Sequence, residues 1–540
     1  MSTLVDFPAA DYPAEASETP ALASAADPRP RTQSLWLAPA VLLGGMSWLS
    51  GGSTTVNDVA MICFLVACMA GCVYELKHFR RDLGIGGLVL FGGSIIWFCH
   101  DYFANWFGSN YGTENTTAKY GVTTATVGKG VFLVSLFIMA ATFGLRFKRG
   151  QRLVRLMSSV PEPSDGAYMP IILAAAAVGF VPYIFFTAEN PFVALFKDMY
   201  AMRGQAGASW AIAGRSGNYN YNWSAYLMHF LEVGQVAAIL AACYATLVCR
   251  NFMAKLVCWS LWLIQAALAF GTGSRGPVVA IGVPVLGVIF AKIWFAPPGT
   301  RQGKVWATAA ILSVVMLFAI QFQGTYRNAV AEDRDVYSVE LLKSQGNMMF
   351  SEGLVAYEIV PSVVEHPGDR FPGAMLIRPL PEMLYRFSFS WFPRAAWHTR
   401  PATLWAFLGQ GPDFDFFLYY NTLITGGSAY NDDQGNYEAG GTAATSIVGM
   451  AYIPYGISGV IQIGILFGWM CTIAERVFRR SNGRIMVSVF ALGLAAYLSR
   501  AFRELTPADL YPLLIGMAGA TILTKFMSPK KYVESAGPES

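Results

Sequence analysis

The chain has 540 residues, of which 54% are hydrophobic and only 13% are charged, and its formal net charge is +4 at pH 7. Soluble domains carry roughly a quarter of charged residues, so this chain lacks the charges to cover a water-facing surface of its size. The composition excludes a soluble enzyme, a disordered protein and a nucleic-acid-binding protein. It predicts a polytopic membrane protein, because repeated apolar runs of about 20 residues match the ~30 Å hydrocarbon core of a bilayer.

Residues 1–33 are rich in Pro, Ala, Asp and Glu and show no apolar periodicity, which predicts a disordered tail. After this tail the chain alternates between apolar stretches and polar connections. We interpret the apolar stretches as twelve transmembrane helices, at about 35–50, 56–74, 84–104, 122–145, 169–188, 223–248, 256–272, 276–295, 305–323, 446–473, 485–499 and 507–526.

Every second connection is short and basic. Arg149 and Arg152 follow the fourth helix, for example, and Arg476 and Arg479 follow the tenth. The positive-inside rule places these connections in the cytoplasm. The predicted fold is therefore an all-α polytopic membrane protein with about twelve transmembrane helices and both termini cytoplasmic.

The remaining connections face outward, and one of them dominates. Residues 324–445 separate helices nine and ten and contain aromatic residues, prolines and charges of both signs, including two amphipathic helical patterns. The predicted organisation is a cytoplasmic tail at 1–33, transmembrane helices one to nine at 34–323 and a large periplasmic loop at 324–445. Transmembrane helices ten to twelve then occupy 446–527, and a second cytoplasmic tail occupies 528–540.

Arginines are frequent on the predicted outward side, although the positive-inside tendency should make them scarce there. A guanidinium group is planar and permanently charged, and it binds phosphate or carboxylate at two points. Arg275 is the clearest case, because it lies in a turn between two apolar helices, beside Ser274 and Gly276, where a lipid-linked phosphate could approach the backbone. Pairing with acids such as Glu332 or Glu382 is the alternative for several of the others. The candidate arginines are Arg203, Arg215, Arg275, Arg327, Arg394 and Arg400.

Two histidines in the large outer loop, His366 and His398, are candidates for a general base, because imidazole titrates near neutral pH. A surface role without chemistry is the alternative for each. Acidic pairs that could hold a divalent cation are scarce: Asp413 and Asp415 come closest, and two carboxylates alone are weak evidence for Mg²⁺. The sequence therefore predicts no metal and no other cofactor.

Four segments occur in order along the second half of the chain. They are FGTGSRGPVV at 270–279, FQGTYRN at 322–328, WFPRAAWHTRP at 391–401, and TAATSIVGMAYIPYGISGVIQIGILFG at 442–468. This ordered set resembles the Wzy-type oligosaccharide repeat-unit polymerases of O-antigen and exopolysaccharide synthesis. The resemblance covers roughly residues 270–470. Arg400 stands where the family often has Lys, and Tyr326 where Phe is common, and both changes keep the chemical type.

The resemblance implies a metal-independent, inverting-type glycosyl transfer on the periplasmic face of the bacterial inner membrane. The growing glycan, held on undecaprenyl pyrophosphate, would move to the non-reducing end of a newly flipped lipid-linked repeat unit. The implied partners are this lipid-linked donor and acceptor, membrane lipids, a repeat-unit flippase and a chain-length regulator, with no nucleic acid. A pyrophosphate leaving group without a metal needs preorganised cations. The predicted catalytic residues are Arg275, Arg327, Arg394, Arg400, His398 and His366, and the predicted substrate-binding residues are Arg203, Arg215, Ser274, Gly276, Tyr326 and Trp397. His366, Arg203 and Arg215 lie outside the four segments and are predicted from their residue type and their place in the outer loops.

Two other functions fit parts of the sequence. An O-antigen ligase, which transfers the glycan to a lipid A core, has a similar topology, a similar large loop and a similar use of arginine and histidine; the PRAAWHTRP segment favours a polymerase. A flippase or transporter of lipid-linked sugars belongs to a different class and is typically built from internal repeats. We find no such repeats in the sequence.

Overall fold

The structure is a computed structural model. It describes residues 33–82, 84–99, 102, 112–114, 117, 123–147, 149–187, 190–200, 230–271, 275–295, 303–316, 446–481, 484–502 and 507–527. The whole predicted large periplasmic loop at 324–445, the whole second tail at 528–540 and residues 1–32 of the first tail therefore lie outside the described residues. Gln33, the last residue of the predicted first tail, already belongs to a helix.

All regular structure in the described residues is helical, and none of these residues forms a strand. The helix at Ile85–Ser94 continues directly into a short π-helix at Ile95–Cys99. In chain order the helices are α1 (Gln33–Trp36), α2 (Ala38–Leu49), α3 (Thr54–Asp82), α4 (Ile85–Ser94), α5 (Thr124–Gly144), α6 (Gln151–Ser158), α7 (Asp165–Phe186), α8 (Pro191–Tyr200), α9 (Phe230–Leu247), α10 (Phe252–Gly271), α11 (Arg275–Phe295), α12 (Gly303–Met316), α13 (Ser446–Arg479), α14 (Ile485–Ala501) and α15 (Pro507–Met527).

Each of the twelve apolar stretches predicted from the sequence contains helix. Six helical segments are long and apolar enough to cross a membrane, and six further apolar helical segments are shorter, at 10–17 described residues. The protein is thus an α-helical membrane protein, while its twelve spans and its orientation stay predictions. The six long segments are Thr54–His78, Thr124–Gly144, Asp165–Phe185, Phe230–Leu247, Phe252–Gly271 and Gly456–Arg479.

Glycines bring α13 into close contact with α5. A Cβ atom added at Gly468 would lie 1.9 Å from the carbonyl oxygen of Ala141, and one added at Gly144 would lie 2.1 Å from the carbonyl oxygen of Ile465. No side chain fits at such distances, so only glycine permits this approach of the two backbones. Small residues have the same role at helix interfaces in membranes generally, where packing replaces the hydrophobic effect as the driving force.

The connection between α6 and α7 is tied to the start of α14 by Glu162. Its carboxylate accepts hydrogen bonds from the backbone N–H groups of Ile485 (2.6 Å) and Met486 (3.0 Å), and the Tyr168 hydroxyl also donates to it. The first N–H groups of a helix have no partner inside the helix, so this carboxylate satisfies two of them. Burial raises the pKa of Glu162, while the hydrogen bonds from Tyr168 and the two amides, together with the nearby Arg484, oppose that rise.

Two short helices lie outside the predicted apolar stretches. The helix α6 occupies the basic connection after α5, and α8 lies in the second predicted outer loop. Both are amphipathic, and both leave apolar side chains exposed, among them Leu156 of α6 and Phe192 and Phe196 of α8. Exposed apolar faces on short helices beside apolar helices are typical of segments that lie along a membrane surface.

Candidate functional site

The residues that the sequence singles out fall mostly outside the described part of the chain. Arg275 and Gly276 are the exceptions, and they form the first two positions of α11. The residues outside the described ranges are Arg203, Arg215, Ser274, Tyr326, Arg327, His366, Arg394, Trp397, His398 and Arg400. Their roles stay predictions.

Two helices that precede predicted site residues in the chain, α8 and α10, contact each other. A Cβ atom added at Gly271, the last residue of α10, would lie 2.1 Å from the carbonyl oxygen of Asp198 in α8. The Asp198 carboxylate in turn accepts a hydrogen bond from the Tyr183 hydroxyl (3.1 Å). The helix α8, which precedes Arg203 in the chain, therefore packs against α10, which precedes Arg275.

A buried lysine lies near one end of the bundle, the end that holds the turn at residues 50–53 and the beginning of α5. Lys129, in the second turn of α5, is only 6% exposed. Its Nζ atom lies 5.3 Å from the ring centroid of Trp48 in α2 and 4.7 Å from that of Tyr452 in α13. Both distances suit cation–π attraction, which strengthens when water is excluded. We call Lys129, Trp48 and Tyr452 the Lys129 site.

Small and polar residues beside Lys129 explain how three helices meet there. A Cβ atom at Gly128 would lie 2.8 Å from Asn57 Oδ1 and 3.0 Å from Ser47 Cβ, so glycine lets α2 and α3 approach α5. Asn57 is fully buried, and its Nδ2 donates to the carbonyl oxygen of Thr124 (2.8 Å). Its Oδ1 has no hydrogen-bond partner in the described part of the chain. A polar acceptor thus lies beside the helix turn that carries the lysine.

The helix α13 is broken four residues after Tyr452. Gly456 has φ 61° and ψ −153°, a conformation that is essentially restricted to glycine. Such a break leaves backbone polar groups without their usual helical partners. In membrane proteins, broken helices at membrane depth are tolerated where other protein groups or a polar cavity satisfy these groups, and they often mark binding sites. The break lies about one helical turn along α13 from Tyr452 of the Lys129 site.

At the same end of the bundle, Asp58 anchors part of the connection between α4 and α5. Its Oδ1 accepts hydrogen bonds from the Tyr102 hydroxyl, the backbone N–H of Thr113 (3.0 Å) and the Thr113 hydroxyl (2.9 Å). Gly112 has φ +62°, and a Cβ there would lie 2.6 Å from the same oxygen. The Tyr102 hydroxyl also contacts the Thr113 hydroxyl (2.7 Å), so the three side chains form one hydrogen-bonded cluster. This cluster fixes the connection on α3.

Sequence reasoning missed Lys129, because it searched the outward connections for arginines. The signal was present, since Lys129 stands alone in the apolar segment TATVGKGVFLVSLF. An ionisable residue within a membrane helix is a functional candidate by default. Its aromatic neighbours come from distant parts of the chain and could not be read from the sequence.

Acidic, cysteine and histidine side chains do not cluster in the described ranges in any group of three or more that could hold a metal ion. Metal independence stays a prediction, because the whole predicted outer loop at 324–445 lies beyond these ranges.

No family model, no curated protein and no solved structure matches this chain. The resemblance to repeat-unit polymerases therefore depends on the four ordered sequence segments.

Proposed function

We propose that this protein is a glycosyltransferase of the bacterial inner membrane that polymerises undecaprenyl-pyrophosphate-linked oligosaccharide repeat units into a polysaccharide on the periplasmic face. The observation that carries the proposal is the ordered set of four segments between residues 270 and 468, with its Ser-Arg-Gly turn and its Pro-Arg and Arg-Pro pairs. An α-helical membrane protein is compatible with a lipid-linked substrate, because both lie in the bilayer.

Three described features support this proposal. Arg275 is the first residue of α11, so a helix begins within the Ser-Arg-Gly segment. The helix α8, which precedes Arg203 in the chain, packs against Gly271, which precedes Arg275. Lys129 provides a further cation inside the helix bundle.

The proposed reaction breaks the bond between the anomeric carbon of the growing glycan and its pyrophosphate oxygen. A hydroxyl of the acceptor repeat unit attacks this carbon from the opposite side, and a general base, His366 or His398, takes the hydroxyl proton. Negative charge grows on the departing pyrophosphate, and Arg275, Arg327, Arg394 and Arg400 stabilise it as preorganised donors. Lys129 is a further cation in the helix bundle, and low dielectric strengthens the effect of a buried charge.

The two alternatives differ from the proposal in the glycans that accumulate when the gene is deleted. Loss of a polymerase leaves single repeat units on the final acceptor. Loss of a ligase leaves long chains on undecaprenyl pyrophosphate, and loss of a flippase leaves lipid-linked units at the cytoplasmic face. Gel analysis of cell-surface and lipid-linked glycans from the deletion strain separates these outcomes. Long lipid-linked chains would overturn the proposal in favour of a ligase.

Replacing Lys129 by methionine is expected to lower polymer formation at least tenfold, because the volume is kept and the positive charge is lost. Lys129→Arg should retain more activity than Lys129→Met. The measurement is polymer yield per folded protein, with the thermal unfolding temperature recorded for each variant. If Lys129→Met loses activity only in proportion to its loss of folded protein, Lys129 has a packing role alone.

The predicted orientation can be tested by labelling single introduced cysteines in intact cells. A cysteine at Ser428 should react with a membrane-impermeant maleimide from the periplasm, and a cysteine at Ser159 only after the cells are opened. Ser159 is exposed, whereas its neighbour Ser158 is buried and donates to the carbonyl oxygen of Val154. Labelling of both positions from the same side would contradict the predicted arrangement. The native cysteines are buried or half-buried, so unmodified protein gives a low background.

A further inference from the structure

The short helix α6 has an amphipathic surface that neither the proposed reaction nor the helix packing uses. Successive residues of a helix are rotated by about 100°, which places Leu156, Leu153 and Val154 on one side of α6 and Arg152 and Arg155 on the other. Val154 is fully buried against the bundle, whereas Leu153 is 37% exposed and Leu156 is 70% exposed. Both arginines are exposed as well. The two leucines are therefore exposed, and they lie between the buried side of the helix and its basic side.

Contacts at both ends of α6 hold it in position without help from these leucines. The indole Nε1 of Trp469 donates to the carbonyl oxygen of Arg149 (2.9 Å), just before the helix, and Arg484 Nη2 donates to the carbonyl oxygen of Ser158 (2.9 Å) at its end. Between Arg149 and the helix, Gly150 adopts φ +105°, a left-handed conformation that favours glycine. The exposed leucines are thus held at a fixed place on the surface by backbone contacts.

The position of α6 beside α5 indicates what covers this surface. The last turn of α5 carries Phe143, which is 48% exposed, and α5 is one of the helices long and apolar enough to cross a membrane. The helix α6 follows only a few residues later, so it lies at the level where α5 leaves the hydrocarbon core. Exposed leucines beside exposed arginines at this level match the two layers of a membrane surface, which are acyl chains below and phosphate groups above.

We propose that α6 is a lipid-binding helix: Leu153 and Leu156 enter the acyl boundary, and Arg152 and Arg155 bind the phosphate groups of anionic phospholipids. The proposal does not depend on the polymerase reaction. It assigns this surface to the bilayer itself, since a soluble partner would have to cover leucines next to a membrane-spanning helix. Each basic residue near an anionic membrane surface contributes about 1 kcal/mol of attraction. This corresponds to about a fivefold preference for anionic lipid per residue.

The test uses the full-length protein in nanodiscs that contain phosphatidylcholine and phosphatidylglycerol, with a bimane fluorophore on Leu156→Cys. Wild-type protein treated with the same reagent gives the blank. Lipids with nitroxide-labelled acyl chains should quench the fluorophore strongly, and aqueous iodide should quench it weakly. The reverse pattern would show that residue 156 faces water or a soluble partner, and it would overturn the proposal.

The charge part of the proposal is tested by comparing quenching from head-group-labelled phosphatidylglycerol and phosphatidylcholine at the same position. The local preference for phosphatidylglycerol should fall about fivefold for Arg152→Gln and further for the double variant with Arg155→Gln. The matched control is Arg250→Gln, an exposed arginine in the connection between α9 and α10, which should leave the preference at α6 unchanged. An unchanged preference in the double variant would overturn the assignment of anionic lipid to this helix.

Discussion

Replacing Arg275 by alanine is expected to lower the rate of polymerisation by about 10²–10³-fold, because removal of one preorganised donor to a developing negative charge has an effect of this size. Cells that carry Arg275→Ala should make glycans with single repeat units and no long chains. Arg275→Lys should restore only part of the activity, since an ammonium group supplies charge without the two-point geometry of guanidinium.

The matched control for this variant is Arg250→Ala, because Arg250 is exposed in the connection between α9 and α10, away from the predicted site. It should form chains of wild-type length. Glycan length on gels and the amount of protein in the membrane are measured together for each variant. Chains of wild-type length from Arg275→Ala at wild-type expression would show that Arg275 is not part of the site.

Replacing Gly468 by alanine is expected to destabilise the fold by about 1–3 kcal/mol or more, the typical cost of overpacking. The added methyl group would lie 1.9 Å from the carbonyl oxygen of Ala141, and a backbone atom cannot move away without shifting the whole helix. The measurement is the thermal unfolding temperature of the purified protein in detergent, which should fall by several degrees.

Gly166→Ala is the control for this experiment, because in the described part of the chain no atom beyond its own helical turn lies within 4 Å of a Cβ added at Gly166. Gly166 is in the first turn of α7, where alanine reduces the flexibility of the unfolded chain and should leave stability unchanged or slightly raised. If Gly468→Ala unfolds at the wild-type temperature, the close packing of α13 on α5 is not a determinant of the fold.

The helical character of the protein could be predicted from the sequence because hydropathy is a local property. Each apolar stretch contains helix, including the stretch at 276–295, which corresponds to α11. The short helix α6 was missed because its eight residues include two arginines and no long apolar run. The break in α13 was also missed. Pro454 and Gly456 were both visible in the sequence, but proline is tolerated in membrane helices, so neither residue alone requires an interruption.

The tertiary contacts of the candidate site could not be predicted. Lys129 is recognisable as a charge in an apolar segment, but its neighbours Trp48 and Tyr452 come from helices that are far apart in the chain. In the same way, Gly468 and Ala141 are separated by more than 300 positions. Such pairings depend on how the whole bundle packs. Arg394 and His398 lie in the predicted large loop, and their predicted catalytic roles depend on the sequence segments alone.

The most direct test of the proposed function is extension of lipid-linked repeat units by the purified protein in liposomes, in the presence of EDTA. The substrate is a single oligosaccharide repeat unit on undecaprenyl pyrophosphate, and the products are separated by length. The proposal predicts a ladder of products, each longer by one repeat unit, that forms with chelator present. Repeat units that stay at their starting length, or that are extended only after Mg²⁺ is added back, would contradict it.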